Sequence, residues 1–206
     1  MKRIIKKIIN RIFYNQRIKV HGKNNSFEYP SSAKVKKVKI DVWGNNNKII
    51  LDENVYLNNA KIIIGFKKVA VDNTIIKIGK NSKINSLFLQ IGEDNSAVTI
   101  GENCMCSYNV DLNCTDTHSI FDEKGNLINV GQSITIGNHV WICKDVKIMK
   151  NTNIPDGCIV AQGSIVTKKF EKENCILAGN PARVVKENIH WDSIRPNDYL
   201  KTCCKQ

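Results

Sequence analysis

Residues 134–168 read "ITIGNHVWICKDVKIMKNTNIPDGCIVAQGSIVTK", with an aliphatic residue at every sixth place: Ile136, Ile142, Ile148, Ile154, Val160 and Val166. A period of six matches neither the 3.6-residue turn of a helix nor the two-residue alternation of a half-buried strand. Four places after each aliphatic residue stands a compact one: Val140, Val146, Thr152, Cys158, Ser164. One short strand plus one turn accounts for both positions, the aliphatic residue pointing inward and the compact one fitting where the backbone bends. Three such units make a triangular coil of 18 residues. Stacked coils give every strand parallel neighbours and gather the inward residues into columns. The stretch therefore predicts an all-β solenoid.

Outward from this stretch, the same pattern recurs in "IGKNSK" (78–83), "IGENCM" (100–105) and "IGNHVW" (136–141). Recurrence at a fixed period indicates a repeat architecture. Upstream, "VKKVKIDVWGNNNKIILDENVYL" alternates apolar residues between Gly and Asn, as short strands with tight turns do. The boundaries read from this are a connection over 1–38, the solenoid over 39–185 and a capping tail over 186–206.

The hexads break once. Counting from Ile100 through Cys106 and Leu112 leads to His118, after which "HSIFDEKGNLINVGQS" has no repeat. The count resumes in phase at Ile136. An irregular excursion on a regular scaffold is where chemistry is expected, so 118–133 is the candidate active-site loop. It opens with "DTHSIFD" (116–122), a histidine between two carboxylates. Of the four histidines, His118 alone stands where the coil opens. It is the candidate general base, since imidazole titrates near neutral pH. Asp116, two residues earlier, is the candidate to orient its ring, with Asp122 as the rival.

These residues resemble the hexapeptide-repeat acyltransferases over roughly 40–185. The resemblance implies a left-handed parallel β-helix, an exception to the right-handed crossover rule. It implies direct acetyl transfer from acetyl-CoA to a sugar hydroxyl, with His118 as base and no acyl-enzyme. Galactoside and maltose acetyltransferases in part carry two histidines three residues apart here, whereas this chain has one. Trp141 matches a tryptophan beside the acceptor or the pantetheine arm, and Asn113 is a second candidate for the acceptor side. Cys143 stands where the family has glycine. "AQGSIVTKK" (161–169) and "AGNPARVVK" (178–186) resemble the coenzyme A groove, with Ala161, Gly163, Ser164, Thr167, Lys168, Pro181 and Arg183 as contacts. "ENIHWDSIRPNDYL" is then expected to cap the open end. The family also implies a homotrimer with sites between subunits. The acceptor expected is a building block or end of a surface polysaccharide, or alternatively a nucleotide-linked amino sugar acetylated on nitrogen.

Composition narrows the remainder. The chain has 206 residues, 42% hydrophobic and 24% charged, enough for one domain with a real core. Its net charge of +12 points to an anionic partner, or equally to a compositional bias toward Lys, Asn and Ile. The opening "MKRIIKKIINRIF" places Ile4, Ile5, Ile8, Ile9, Ile12 and Phe13 on one helical face and Lys and Arg on the other. Residues 2–13 could therefore lie on an anionic membrane surface or pack on protein. No run of 18 apolar residues predicts a membrane span, and no secretory signal is expected. The location expected is cytoplasmic, with eight cysteines kept as thiols. They form no CxxC pair and show no zinc spacing with histidine, so no metal is expected. The three histidines that a zinc anhydrase of the hexapeptide type requires are not in the solenoid. No motif supports nucleic-acid binding.

Overall fold

The structure, a computed structural model, describes residues 15–131 and 133–203. The basic segment 2–13 lies outside the described residues. Among the described residues twenty-one strands form three sheets, and up to Ile165–Val166 the chain visits them in rotation, A to B to C. Sheet A holds Arg17–His21, Lys39–Trp43, Ala60–Ile64, Leu87–Ile91, Val110–Cys114, Lys147–Met149 and Ile165–Val166. Sheet B holds Ser26–Glu28, Lys48–Leu51, Ile75–Ile78, Ala97–Ile100, Ile134–Ile136 and Thr152–Ile154. Sheet C holds Lys34–Lys36, Tyr56–Asn58, Lys83–Ile84, Met105–Cys106, Trp141–Ile142, Ile159–Val160, Ile176–Gly179 and Ala182–Lys186. All pairings are parallel except the last, where Ile176–Gly179 and Ala182–Lys186 form an antiparallel hairpin.

The hexad residues form the expected columns. On sheet A, Ile40, Ile62, Leu89, Leu112, Ile148 and Val166 are in register and buried. On sheet B, Ile78, Ile100, Ile136 and Ile154 do the same. The compact residues Val140, Val146, Thr152, Cys158 and Ser164 are all buried at the corners. Each buried Ile or Leu is worth about 1.5–3 kcal/mol of transfer free energy, so the columns supply the main driving force.

The corners explain the asparagines. Of the eighteen described non-glycine residues with positive φ, thirteen are Asn. Asn tolerates the left-handed region because its short amide can bond locally. The amides also bond from coil to coil. Asn24 donates to Asn46 and Asn46 to Asn73, while Asn54 donates to Asn81 and Asn81 to Asn103, each at 3.2 Å. The Asn-rich composition thus has a structural use at the corners.

Two boundaries differ from those read in the sequence. The solenoid starts at Arg17–His21, a full coil before residue 39. That strand is exposed along its length, and its two apolar residues, Ile18 and Val20, are about half exposed, so their pattern is weak. The C-terminal segment does not simply cap the end. Ile189 N–H bonds Asn174 O, and Trp191 packs at His139, so the chain runs back down the edge between sheets B and C. The helix Pro196–Cys203 follows. No helix among the described residues is long and apolar enough to cross a membrane.

Candidate functional site

Strand Val110–Cys114 ends at the edge where sheet A turns into sheet B, and there the regular coil is interrupted. Residues 115–131 form an excursion with one antiparallel bridge, Phe121 to Leu127. Asp122 closes its tip: Oδ1 accepts from Lys124 N and Asn126 N, and Oδ2 from the Asn126 amide. Asp122 is thus occupied in its own turn.

Asp116 is occupied differently. Its carboxylate accepts from the Lys150 ammonium and from Asn129 Nδ2. Asn129 Nδ2 also donates to His118 O at 2.8 Å, and Asn129 Oδ1 accepts from Ile120 N. Lys150 further bonds Asn129 O. Asp116 therefore reaches the His118 backbone through Asn129, and among the described residues no group hydrogen-bonds the His118 ring. The Lys150 and Asn129 bonds hold the Asp116 carboxyl below the usual carboxylate range. Such a group contributes stability above its ordinary pKa and loses that contribution as pH falls through the depressed value. His118 itself is exposed at this edge.

The other candidates divide between surfaces. On the outside of sheet C, Met105, Trp141, Ile159 and Ile176 stand in register, all half-buried. Beside them the ladder continues through Ser107, Cys143, Ala161 and Ala178, whose small side chains leave a shallow trough along the coil axis. Burial pushes the Cys143 thiol above its ordinary pKa, so it is not a ready thiolate nucleophile. Gly163 turns the next corner at φ +72, with open space where a β-carbon would sit. Ser164 is buried and its hydroxyl accepts from Gly179 N, so it faces the interior. Thr167 and Lys168 follow sheet A, on the same edge as the His118 excursion. Asn113 points outward on sheet A with a buried Oδ1 that has no described partner. Pro181 follows a cis peptide in the terminal hairpin, and the exposed Arg183 guanidinium bonds Ala182 O.

The three faces of the coil form a triangle, so the edge bearing His118 lies opposite sheet C. A single chain separates its candidate base from its Trp141 trough.

Three features were not foreseen from the sequence. Lys150, Asn129 and Glu93 anchor the excursion from positions with no motif around them. Trp191 stacks on His139 with ring centroids 4.1 Å apart, and Trp191 Nε1 donates to His139 O while His139 Nε2 faces Trp191 O. The Trp191 ring also lies 5.8 Å from that of Trp141, bracing it from the side.

No family model and no curated protein sequence matches the chain. Among the solved structures to which the chain is similar are two acetyltransferases. The polySia-specific acetyltransferase NeuO is 29% identical, covering 92% of this chain and 96% of that chain, with a TM-score of 0.69. The polysialic acid O-acetyltransferase OatWY is 25% identical, covering 85% and 91%, with a TM-score of 0.59. The likeness gives the solenoid its hand, that of a left-handed parallel β-helix.

Proposed function

We propose that this chain, a hexapeptide-repeat acyltransferase, moves the acetyl group of acetyl-CoA to a hydroxyl of an acidic sugar polymer, with His118 as general base. The observation that carries the reading is the lone histidine on the excursion over 115–131, the longest interruption of the solenoid among the described residues. The acyltransferase class rests on the likeness to two acetyltransferases.

In this mechanism a His118 ring nitrogen takes the proton of the acceptor hydroxyl. The oxygen attacks the thioester carbonyl, the carbon–sulfur bond breaks, and the departing thiolate recovers the proton from the imidazolium. A positioned base of this kind contributes about 10²- to 10⁴-fold. Direct transfer fits Cys143, whose thiol is held protonated.

Several observations favour an acidic acceptor. NeuO is specific for polySia and OatWY is a polysialic acid O-acetyltransferase. On the outer face of sheet A, Arg17, Lys39 and Lys61 stand in register, and Lys61 lies over the Phe88 ring at 5.4 Å. A run of cations repeating at strand spacing, near 4.8 Å, is complementary to a chain with repeated carboxylates.

The site is completed between copies of the chain, in a homotrimer. His118 of one copy faces the trough of a neighbour, because its own trough is on the opposite side. The exposed Ile120, Phe121, Leu127, Ile128 and Val130 of the excursion form an apolar surface that such a neighbour would cover.

The test is incubation with acetyl-CoA and a panel of acidic, neutral and amino sugars and oligomers, read by mass spectrometry. Gain of one acetyl group, labile to alkali and confined to acidic acceptors, is expected. An alkali-stable product would assign transfer to nitrogen. Transfer to neutral sugars alone would overturn the acidic acceptor.

A further inference from the structure

The excursion leaves the solenoid at Thr115 and rejoins it at Gly131, and Glu93 stands beneath both points. Glu93 lies one coil below on the same edge, just after strand Leu87–Ile91. Its Oε1 accepts the Thr115 hydroxyl at 2.8 Å. The same hydroxyl oxygen accepts Thr117 N–H at 2.9 Å. Thr117, the residue before His118, has φ +62, a left-handed conformation that a β-branched residue adopts only when its surroundings impose it. Thr115, the link between the two bonds, is buried.

On the return side, a β-carbon at position 131 would come within 2.4 Å of Glu93 Oε2 and 2.7 Å of Cys114 O. The carboxylate thus fills the gap between the two legs. Glu93 Oε2 is buried and has no hydrogen-bond partner among the described residues. Leaving a buried acceptor unused costs about 1–3 kcal/mol.

We propose that Glu93 is a positioning residue for His118: through Thr115 it holds the left-handed turn at Thr117 that aims the imidazole at the acceptor. The proposal rests on the reading of His118 as the base. It adds the group that sets the direction of that base, from a different coil.

The test compares Glu93→Ala, Glu93→Gln and Thr115→Val, each alone and combined with His118→Ala, by acetyl-transfer kinetics. Glu93→Ala should lower kcat about 10- to 100-fold while the acetyl-CoA KM barely moves, the scale of a slightly misplaced catalytic group. Glu93→Gln keeps an acceptor for the Thr115 hydroxyl and should recover most of the lost rate. In the His118→Ala background, Glu93→Ala should cost nothing more, because there is no imidazole left to aim. Thr115→Val removes the hydroxyl at nearly constant volume and carries the same test if Glu93→Ala fails to fold. An equal loss in both backgrounds, or a wild-type rate in Glu93→Ala and Thr115→Val, would overturn the proposal. Wild-type turnover in His118→Ala alone would instead remove the base, and this proposal with it.

Discussion

Residues 134–166 and residues 115–131 adjoin in sequence, yet they are held by different forces. In the first, one side chain in every six enters a column, and Ile136, Ile142, Ile148, Ile154, Val160 and Val166 are almost wholly buried. In the second, five large apolar side chains face outward, and shape comes from polar bonds made by Glu93, Asp116, Asp122, Asn129 and Lys150. The columns are non-directional and tolerate any chemistry outside them. The polar bonds are directional and hold the backbone that carries His118 at one edge. Stability and reactivity should therefore respond to different substitutions.

The largest expected effect tests the second region. His118→Ala should lower kcat about 10²- to 10⁴-fold, measured as acetylated product, with thermal stability and acetyl-CoA binding unchanged. A matching loss of Tm would merge the two regions into one.

Ile148→Ala tests the first. Ile148 is fully buried between Leu112 and Val166, and its truncation should cost about 2–5 kcal/mol in denaturant unfolding. The molecules that remain folded should turn over normally.

A smaller effect concerns the acceptor face. Lys39→Glu with Lys61→Glu should lower kcat/KM on an acidic polymer by about tenfold at low salt, less at high salt, and spare a neutral acceptor. Equal loss on both acceptors would assign these residues to folding.

The smallest effect separates corner conformation from corner bonding. Asn81 has φ +60 and bonds Asn54 and Asn103. Asn81→Ala should cost about 1–2 kcal/mol, because alanine resists the left-handed region, and Asn81→Gly less. If the two substitutions cost the same, the ladder bonds rather than φ carry the corner.

The two regions also differed in how far they could be read in advance. From Ile136 to Val166 each coil closes in 18 residues, so inward residue and corner residue both recur on a fixed count. Nearer the N-terminus, coils take 22, 23 or 27 residues and strands run to five, so the sixfold count dissolves. Register there is visible only once the strands are stacked, which is why the first coil was missed. His118 was legible as an interruption of phase. The choice between Asp116 and Asp122 was not, since both lie within reach of the ring in sequence. Asp116 is engaged by Lys150, 34 residues on, and by Asn129, whereas Asp122 is taken up by Lys124 and Asn126 of its own turn. Trp191 meets His139 across 52 residues with no period to announce it.

The most direct measurement replaces residues 117–130 with a short Gly-Ser turn and compares the product with wild type in unfolding, acetyl-CoA binding and acetyl transfer. The account predicts a folded β-helix that still binds acetyl-CoA and transfers nothing. Acetyl transfer at the wild-type rate from that protein would contradict it.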